Sequence, residues 1–162
     1  MNSKKGHTVM DVGADGVAII TIINPPVNSL SRDVLRSLKE SFDQAAQRDD
    51  VKAIVVTGMR WVTYSYYGAK GKFSGGFDIS AFSGLQEAKE RPKPGWISIE
   101  IITDTIEASK KPSVAAIDGP ALGGGLEVAM ACNARLSTAT AQLGLPELQL
   151  GIIPGFGGSR LY

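Results

Sequence analysis

The sequence is poor in the residues that most often bind metals, form disulfides or act as catalytic bases. Its 162 residues include one cysteine, Cys132, and one histidine, His7. A single cysteine excludes a disulfide within the chain, and the two residues together are too few for a zinc site of the usual ligand count. His7 stands in a polar N-terminal run, where chains are usually mobile, so we expect no catalysis through a fixed imidazole.

The sequence also lacks an excess of charge of one sign and any long apolar segment. Seventeen Lys and Arg residues against 16 Asp and Glu residues give a formal net charge of +1. The molecule therefore has no overall field that would attract nucleic acid or an anionic membrane, and neither is expected as a partner. No stretch approaches the roughly 20 apolar residues of a membrane span. No targeting signal is expected from either end of the sequence.

Alternating strand and helix patterns predict an α/β fold with a parallel sheet. Apolar runs at 9–12 and 17–23 flank a Gly-Ala-Asp-Gly turn and predict a hairpin. Ser31 is positioned to cap an amphipathic helix, and the β-branched run at 51–57 predicts a buried strand. The later patterns predict a helix from Trp96 to before Lys110, a strand at 113–117, a helix at 126–131 opened by a glycine turn, a strand at 134–137 and a turn at 142–147.

Glycine is abundant, with 19 residues, and several glycines cluster between predicted elements. Gly71 and Lys72 lack the spacing and the Ser or Thr of a phosphate-binding P-loop, and no cluster completes a dinucleotide fingerprint. The triple glycine at 123–125 instead opens an apolar helix, where free N–H groups and the helix dipole could hold an anion or an oxyanion. The alternative is that these glycines only allow close packing of the helix on the sheet.

Two glutamates lie in apolar sequence surroundings. Glu127 falls just inside the helix that follows the triple glycine, and Glu147 follows Pro146 between Leu145 and Leu148. An apolar environment tends to raise the pKa of a carboxyl group, so such a pair suits acid and base work on one water molecule. The alternatives are that Glu127 only interacts with the helix dipole and that Glu147 only begins a helix.

Three separated segments resemble the enoyl-CoA hydratase/isomerase, or crotonase, superfamily. They are Lys-Phe-Ser-Gly-Gly-Phe-Asp-Ile-Ser at 72–80, the segment 115–132 and the segment 142–158. These motifs occur in the family's order, and with the flanking elements they cover nearly all of the chain. The resemblance implies a ββα spiral and an acyl-CoA thioester as substrate. It implies no separate cofactor, because coenzyme A is part of the substrate, and it implies residence in the peroxisome or glyoxysome.

The resemblance also implies roles for individual residues. The backbone N–H groups of Phe77 and Gly124 would bind the thioester carbonyl of a trans-2-enoyl-CoA, Glu127 would activate water and Glu147 would protonate C2. The presence of both glutamates favours a hydratase, with Δ3-Δ2-enoyl-CoA isomerase as the alternative. The residues expected along coenzyme A are Lys72, Ser74, Gly75, Gly76, Asp78, Ile79, Ser80 and Gly123. Lys72 could instead be a solvated loop charge, and Asp78 could structure the loop.

The sequence departs from the family pattern in two places. The aromatic-rich segment 59–68 looks like an insertion ahead of the first oxyanion loop, although a surface hairpin is the alternative. After residue 158 the family continues into helices that complete the acyl pocket and the oligomer interface, and its multifunctional members add an NAD-dependent dehydrogenase module. We therefore expect residues 1–162 to be a C-terminally truncated hydratase domain. The alternative is an inactive fragment that binds acyl-CoA or associates with intact subunits.

Overall fold

The computed structural model describes residues 6–59, 71–78, 99–151 and 153–154. Nearly all of the aromatic-rich segment 59–68 lies outside these described residues. The elements, in chain order, are β1 (His7–Val12), β2 (Val17–Ile23), α1 (Arg32–Gln47), β3 (Ala53–Gly58), α2 (Ile99–Glu107), β4 (Ser113–Ile117), β5 (Pro120–Leu122), α3 (Gly124–Ala131), β6 (Ala134–Ser137), β7 (Gln142–Gly144) and a 3-10 helix (Pro146–Leu150).

Five strands form one sheet in the order β1-β2-β3-β4-β6. β1 and β2 are antiparallel, and their turn is closed by a 2.9 Å hydrogen bond from Gly13 N–H to the Val17 carbonyl. β2, β3, β4 and β6 are parallel to one another, and α1 connects β2 to β3. The predicted hairpin, the βαβ unit and the α/β class are therefore confirmed.

Helix α1 forms because its N-terminus is capped and its apolar residues fall on one stripe. The Ser31 side chain accepts a hydrogen bond of 3.4 Å from the N–H of Val34. The buried stripe of α1 consists of Val34, Leu35, Leu38, Ser41, Phe42 and Ala45. Burying a large side chain such as Phe42 contributes about 1.5–3 kcal/mol, so this stripe anchors the helix on β1 and β2.

A second, two-stranded sheet pairs β5 with β7 in parallel, with Leu122 opposite Gly144. The prediction of a turn at 142–147 is therefore wrong, because this segment contains β7 and the start of the 3-10 helix. β5 lies inside the predicted glycine turn and was not expected either. Each of these strands has three residues, which is too short for a period-2 pattern to show in the sequence.

The histidine is held in the sheet. His7 is the first residue of β1 and is paired with Ile23, so the expectation of a mobile N-terminal position is wrong. The reason is that β1 pairs with β2 along its whole length, which a polar N-terminal composition does not reveal. Among the described helices, none combines the length and the apolarity that a bilayer span needs.

Cys132 follows α3 and is buried in the core. Its thiol lies 3.6 Å from the carbonyl oxygen of Val128, and burial raises the pKa of the thiol from an ordinary value of 9.0 to about 11. The thiolate, which is the reactive form, is therefore disfavoured in the folded protein.

We predict that Cys132 reacts with a disulfide reagent at least about 100-fold more slowly in the folded protein than in urea-unfolded protein at mildly alkaline pH. Because folding raises this pKa, the thiol should also cost stability as the pH rises from about 9 to about 11. Reagent absorbance against time measures the reactivity, and a Cys132→Ala variant is the control for the pH effect. Equal rates in the two states would contradict the buried position.

Lys111 closes the C-terminal end of α1 from another part of the chain. Its ammonium group donates to the carbonyl of Ala45 at 2.9 Å and to the carbonyl of Arg48. The last turn of α1 has no basic residue of its own, so Lys111 supplies the positive charge that this end of a helix favours.

We predict that Lys111→Met lowers the free energy of unfolding by about 1–2 kcal/mol, because two carbonyls of α1 lose a charged donor. Urea denaturation of the parent and the variant measures the change. The matched control is Lys110→Met at the exposed neighbouring position, which should change stability by less than about 0.5 kcal/mol. Equal losses in the two variants would show that the contact with α1 contributes nothing.

Candidate active site

Two glycine-containing loops meet at one edge of the main sheet. The first glycine loop is residues 71–78, and the second is residues 118–125, which follows β4. Ser74 and Ala121 form an isolated parallel bridge between them, in which the N–H of Ser74 donates to the carbonyl of Pro120 at 3.0 Å and its carbonyl accepts from the N–H of Leu122 at 3.0 Å. The carboxyl ends of parallel strands and the loops that follow them are the usual place for a ligand site in a sheet of this kind.

The contact between the loops is so close that it requires glycine. Gly76 has a φ of +94°, and a Cβ atom there would lie 2.7 Å from the carbonyl oxygen of Leu122. The same Cβ would be 3.8 Å from the Cα atom of Gly123, so Gly76 and Gly123 lie side by side. Each of them immediately precedes a residue predicted to form the oxyanion hole, namely Phe77 and Gly124. The fold therefore brings the two predicted donors to neighbouring positions.

The N–H group of Gly124 is one of the two predicted donors. Gly124 is the first residue of α3, so its N–H has no acceptor within the helix and lies at the positive end of the helix dipole. Phe77, the other predicted donor, is bridged to Leu30, whose N–H donates to Gly76 at 2.8 Å and whose carbonyl accepts from Asp78 at 3.5 Å. In a parallel bridge of this kind the N–H of the central residue, Phe77, points away from Leu30.

The two glutamates lie at the same end of α3. Glu127 is fully buried, and its N–H donates to the carbonyl of Gly123 at 3.1 Å. Glu147 is 9% exposed, and its Oε1 lies 2.7 Å from the position that a Cβ on Gly123 would occupy. The N–H of Gly123 also donates to the carbonyl of Gly144 at 2.9 Å, which fixes the segment that carries Glu147 against α3. Sequence reasoning predicted this pair of glutamates, and the fold brings the backbone of Glu127 and the carboxyl group of Glu147 to Gly123.

One oxygen of each carboxyl group, Oε2, is buried and accepts no hydrogen bond from the described residues. Leaving a polar atom of this kind without a partner in the interior costs free energy, about 1–3 kcal/mol by mutational measures. Such atoms occur mainly where a substrate or a reacting water completes the site. The two carboxyl groups therefore have the burial and the open hydrogen-bonding capacity expected of proton-transfer groups.

The other residues predicted to bind the substrate are spread along the first glycine loop. The ammonium group of Lys72 donates to the carbonyl of Pro26 at 2.9 Å. Ser74 is fully buried, Gly75 is exposed and Asp78 is partly exposed. Ile79 and Ser80 lie outside the described residues. The side chains of Lys72 and Ser74 thus have partners within the protein, and their contact with coenzyme A stays a prediction.

Sequence reasoning missed Asn28, which is fully buried next to the first glycine loop. Its φ is +51°, and its side-chain amide donates to the carbonyl of Lys72 at 2.7 Å. The only local sign of its role is a turn-forming residue shortly after Pro25 and Pro26, because asparagine tolerates the left-handed conformation better than other non-glycine residues. The partner is 44 residues away in the sequence, so no local pattern could identify it.

Comparison with known proteins identifies the family of the chain. A family model described as enoyl-CoA hydratase/isomerase matches residues 13–162. The glyoxysomal fatty acid beta-oxidation multifunctional protein MFP-a of Cucumis sativus is 71% identical over 160 residues, which are 98% of this chain and 21% of that protein. The peroxisomal fatty acid beta-oxidation multifunctional protein MFP2 of Arabidopsis thaliana is 65% identical over 157 residues, which are 96% of this chain and 20% of that protein. The chain therefore spans about a fifth of the length of these curated relatives.

The similarity extends to three-dimensional structure. The crystal structure of enoyl-CoA hydratase from Bacillus anthracis superposes with a TM-score of 0.75 at 28% sequence identity, covering 96% of this chain and 56% of that one. The predicted crotonase-like fold is thereby confirmed.

We predict that Gly123→Ala lowers the free energy of unfolding by about 3 kcal/mol, because it combines backbone strain with a displaced Glu147 carboxyl group. Gly123 has a φ of +50° and a ψ of −129°, and an added methyl group would lie 2.7 Å from Glu147 Oε1. The control is Gly151→Ala, where φ is +69° but nothing lies within 4 Å. It should cost only about 1 kcal/mol. Urea denaturation compares the two, and equal losses would contradict the contact with Glu147.

Proposed function

Because the chain belongs to the enoyl-CoA hydratase/isomerase family, we propose that it adds water across the double bond of a trans-2-enoyl-CoA to give a 3-hydroxyacyl-CoA. One observation carries this proposal: the buried glutamates Glu127 and Glu147 belong to segments that contact Gly123, next to the two proposed backbone N–H donors where the glycine loops meet. Hydration of an enoyl thioester needs both kinds of group, because it requires proton transfers and creates negative charge on the thioester oxygen.

In this proposal the N–H groups of Phe77 and Gly124 bind the thioester carbonyl. When the oxygen of water bonds to C3, the double-bond electrons move towards the carbonyl and form an enolate. The enolate oxygen carries more charge than the carbonyl of the substrate, so the two donors stabilise the transition state more than the ground state. A donor of this type contributes about 3–4 kcal/mol in other enzymes. The dipole of α3 adds to the effect at Gly124.

The two glutamates divide the proton transfers. Glu127, ionised at the start, accepts a proton from the attacking water as the C3–O bond forms. Glu147, protonated at the start, donates its proton to C2 as the enolate collapses. At the end Glu127 is protonated and Glu147 is ionised, so the proton count balances and the reverse roles apply to dehydration. Burial of both groups supports this assignment, because it leaves the substrate and the reacting water, and not bulk solvent, as their proton partners.

The first glycine loop would bind the coenzyme A part of the substrate. Gly75, Gly76, Asp78, Ile79 and Ser80 would lie along it, together with Gly123 of the second glycine loop. The ammonium group of Lys72 would lie near a phosphate. Ser74 would hold the loop in place beside coenzyme A, because its hydroxyl and both of its backbone groups bond within the protein. No separate cofactor is proposed, since these groups act directly on the thioester.

The names of the relatives suggest the metabolic setting. The Cucumis sativus and Arabidopsis thaliana proteins are named for glyoxysomal and peroxisomal fatty acid beta-oxidation. We therefore place the reaction of this chain in fatty acid β-oxidation and its location in the peroxisome or glyoxysome.

We predict that Glu127→Gln and Glu147→Gln each lower the rate of crotonoyl-CoA hydration by about 10²–10⁴-fold, because each variant removes one proton-transfer group without changing the size of the side chain. The loss of enoyl thioester absorbance measures the rate. The matched control is Glu40→Gln on the exposed side of α1, which should leave the rate unchanged.

The same variants separate the proposed function from its alternatives. If Glu127→Gln spares conversion of a 3-enoyl-CoA to the 2-enoyl isomer, the site can also act as an isomerase through Glu147. Folded parent protein that binds crotonoyl-CoA without hydrating it would overturn the hydratase proposal and favour a binding function. Full activity in both glutamine variants would exclude the assigned mechanism.

A further inference from the structure

We propose that Asn28 is a positioning residue for the oxyanion hole: its side-chain amide and backbone carbonyl fix the first glycine loop so that the N–H of Phe77 faces the substrate carbonyl. This inference rests on the proposed function, because it assigns the loop its role in binding the thioester oxygen. It adds a residue that contacts no reacting atom and acts only through the loop.

The hydrogen bonds of Asn28 join three segments of the chain. Its Oδ1 accepts from the N–H of Asn24 at 3.0 Å, and its Nδ2 donates to the carbonyls of Lys72 at 2.7 Å and Met59 at 3.4 Å. Its backbone carbonyl accepts from the hydroxyl of Ser74 at 2.8 Å. The residue is fully buried, so these bonds do not compete with water and each broken one would leave a buried group without a partner.

The contacts of Asn28 continue directly to the predicted donor. The Ser74 hydroxyl, which donates to Asn28, also accepts from the N–H of Gly76 at 3.2 Å. Gly76 precedes Phe77, and the carbonyl of Gly76 accepts from Leu30 at 2.8 Å. The first glycine loop is thus fixed on both sides of Ser74 by the segment 26–30. A displacement of about 1 Å at a catalytic donor can cost about 100-fold in rate, so a support of this kind matters for turnover.

The conformation of Asn28 suits this role. With a φ of +51°, the residue lies in the left-handed region, which asparagine and glycine occupy at least cost. This allows a substitution that keeps the backbone and removes only the amide, namely Asn28→Gly. Asn28→Asp keeps the shape but places an acceptor opposite the Lys72 carbonyl. Ser74→Ala removes the hydroxyl that links the carbonyl of Asn28 to the N–H of Gly76 and leaves the Asn28 side chain in place.

The experiment compares these three variants with Asn24→Ala. Asn24 lies in the same turn and donates to the backbone carbonyl and hydroxyl of Ser29 at 2.8 and 3.0 Å, which are not part of the first glycine loop. For each protein, kcat and KM are measured with crotonoyl-CoA. A thermal unfolding transition shows that the protein is folded, and its midpoint reports the change in stability. The absorption maximum of bound cinnamoyl-CoA is measured as well, because hydrogen bonds to the thioester carbonyl shift this band to longer wavelength.

We expect Asn28→Gly and Ser74→Ala to lower kcat by at least about tenfold with KM changed less than about threefold, and to reduce the absorption shift. Asn28→Asp should show the largest loss of kcat. Asn24→Ala should keep the parent kcat and absorption shift even if its unfolding midpoint falls. If Asn28→Gly does not fold, the same measurements on Ser74→Ala and Asn28→Asp test the proposal.

The proposal is overturned if the folded variants keep the parent kcat and the parent absorption shift. It is also overturned if Asn24→Ala loses as much kcat and as much of the absorption shift as these variants do. Failure of the proposed function gives a different result. Parent protein that shifts the cinnamoyl-CoA band but does not hydrate crotonoyl-CoA overturns the activity alone, and the shift in the variants then decides the role of Asn28. Parent protein that does neither overturns both proposals.

Discussion

The site depends on one backbone contact, the bridge between Ser74 and Ala121 that joins the two glycine loops. Both loops must approach closely for the N–H groups of Phe77 and Gly124 to serve one oxygen atom. The approach is possible because Gly76 has no side chain where it meets Leu122. It is reproducible because the second glycine loop follows β4 and the first packs against Gly58 at the end of β3, and β3 and β4 are neighbouring parallel strands of the main sheet. A rigid sheet therefore holds the residues of the site at fixed positions relative to one another.

The buried carboxyl groups of the site lower the stability of the folded protein, and packing in the rest of the fold offsets this loss. Two largely buried carboxyl groups, each with an oxygen that lacks a partner among the described residues, cost several kcal/mol together, a large part of a typical net stability of about 5–15 kcal/mol. The compensation comes from the apolar layer between α1 and the main sheet, where side chains such as Phe42 and Ile20 are buried. This layer contains no catalytic candidate. Stability and chemistry are therefore assigned to different parts of the domain.

The sequence was sufficient for the elements whose patterns are local and long. The hairpin, the Ser31 cap, the buried strands and the helix after the triple glycine all depend on neighbours in sequence, and the two glutamates stood out by their apolar surroundings. β5, β7 and the 3-10 helix could not be predicted, because strands of three residues are defined by their partner and not by their own pattern. The role of Asn28 and the position of His7 in β1 were missed for the same reason. Each depends on a partner that only the fold brings close.

Backbone contacts, more than side-chain contacts, set the geometry between the proposed oxyanion donors and the proposed acid–base pair. The backbones of Gly75 and Gly76 are bonded to those of Val27 and Leu30. Ser74 is paired with the strand that ends at Leu122, and Gly123 is bonded to Gly144, three residues before Glu147. A side chain has several rotamers, whereas a hydrogen-bonded backbone has one arrangement, so such links transmit position with little loss. The enolate oxygen, C2 and C3 of a thioester are rigidly related by conjugation. A site that acts on all three needs donors and carboxyl groups with an equally fixed relation, and a continuous set of backbone bonds is the means by which this small domain supplies it.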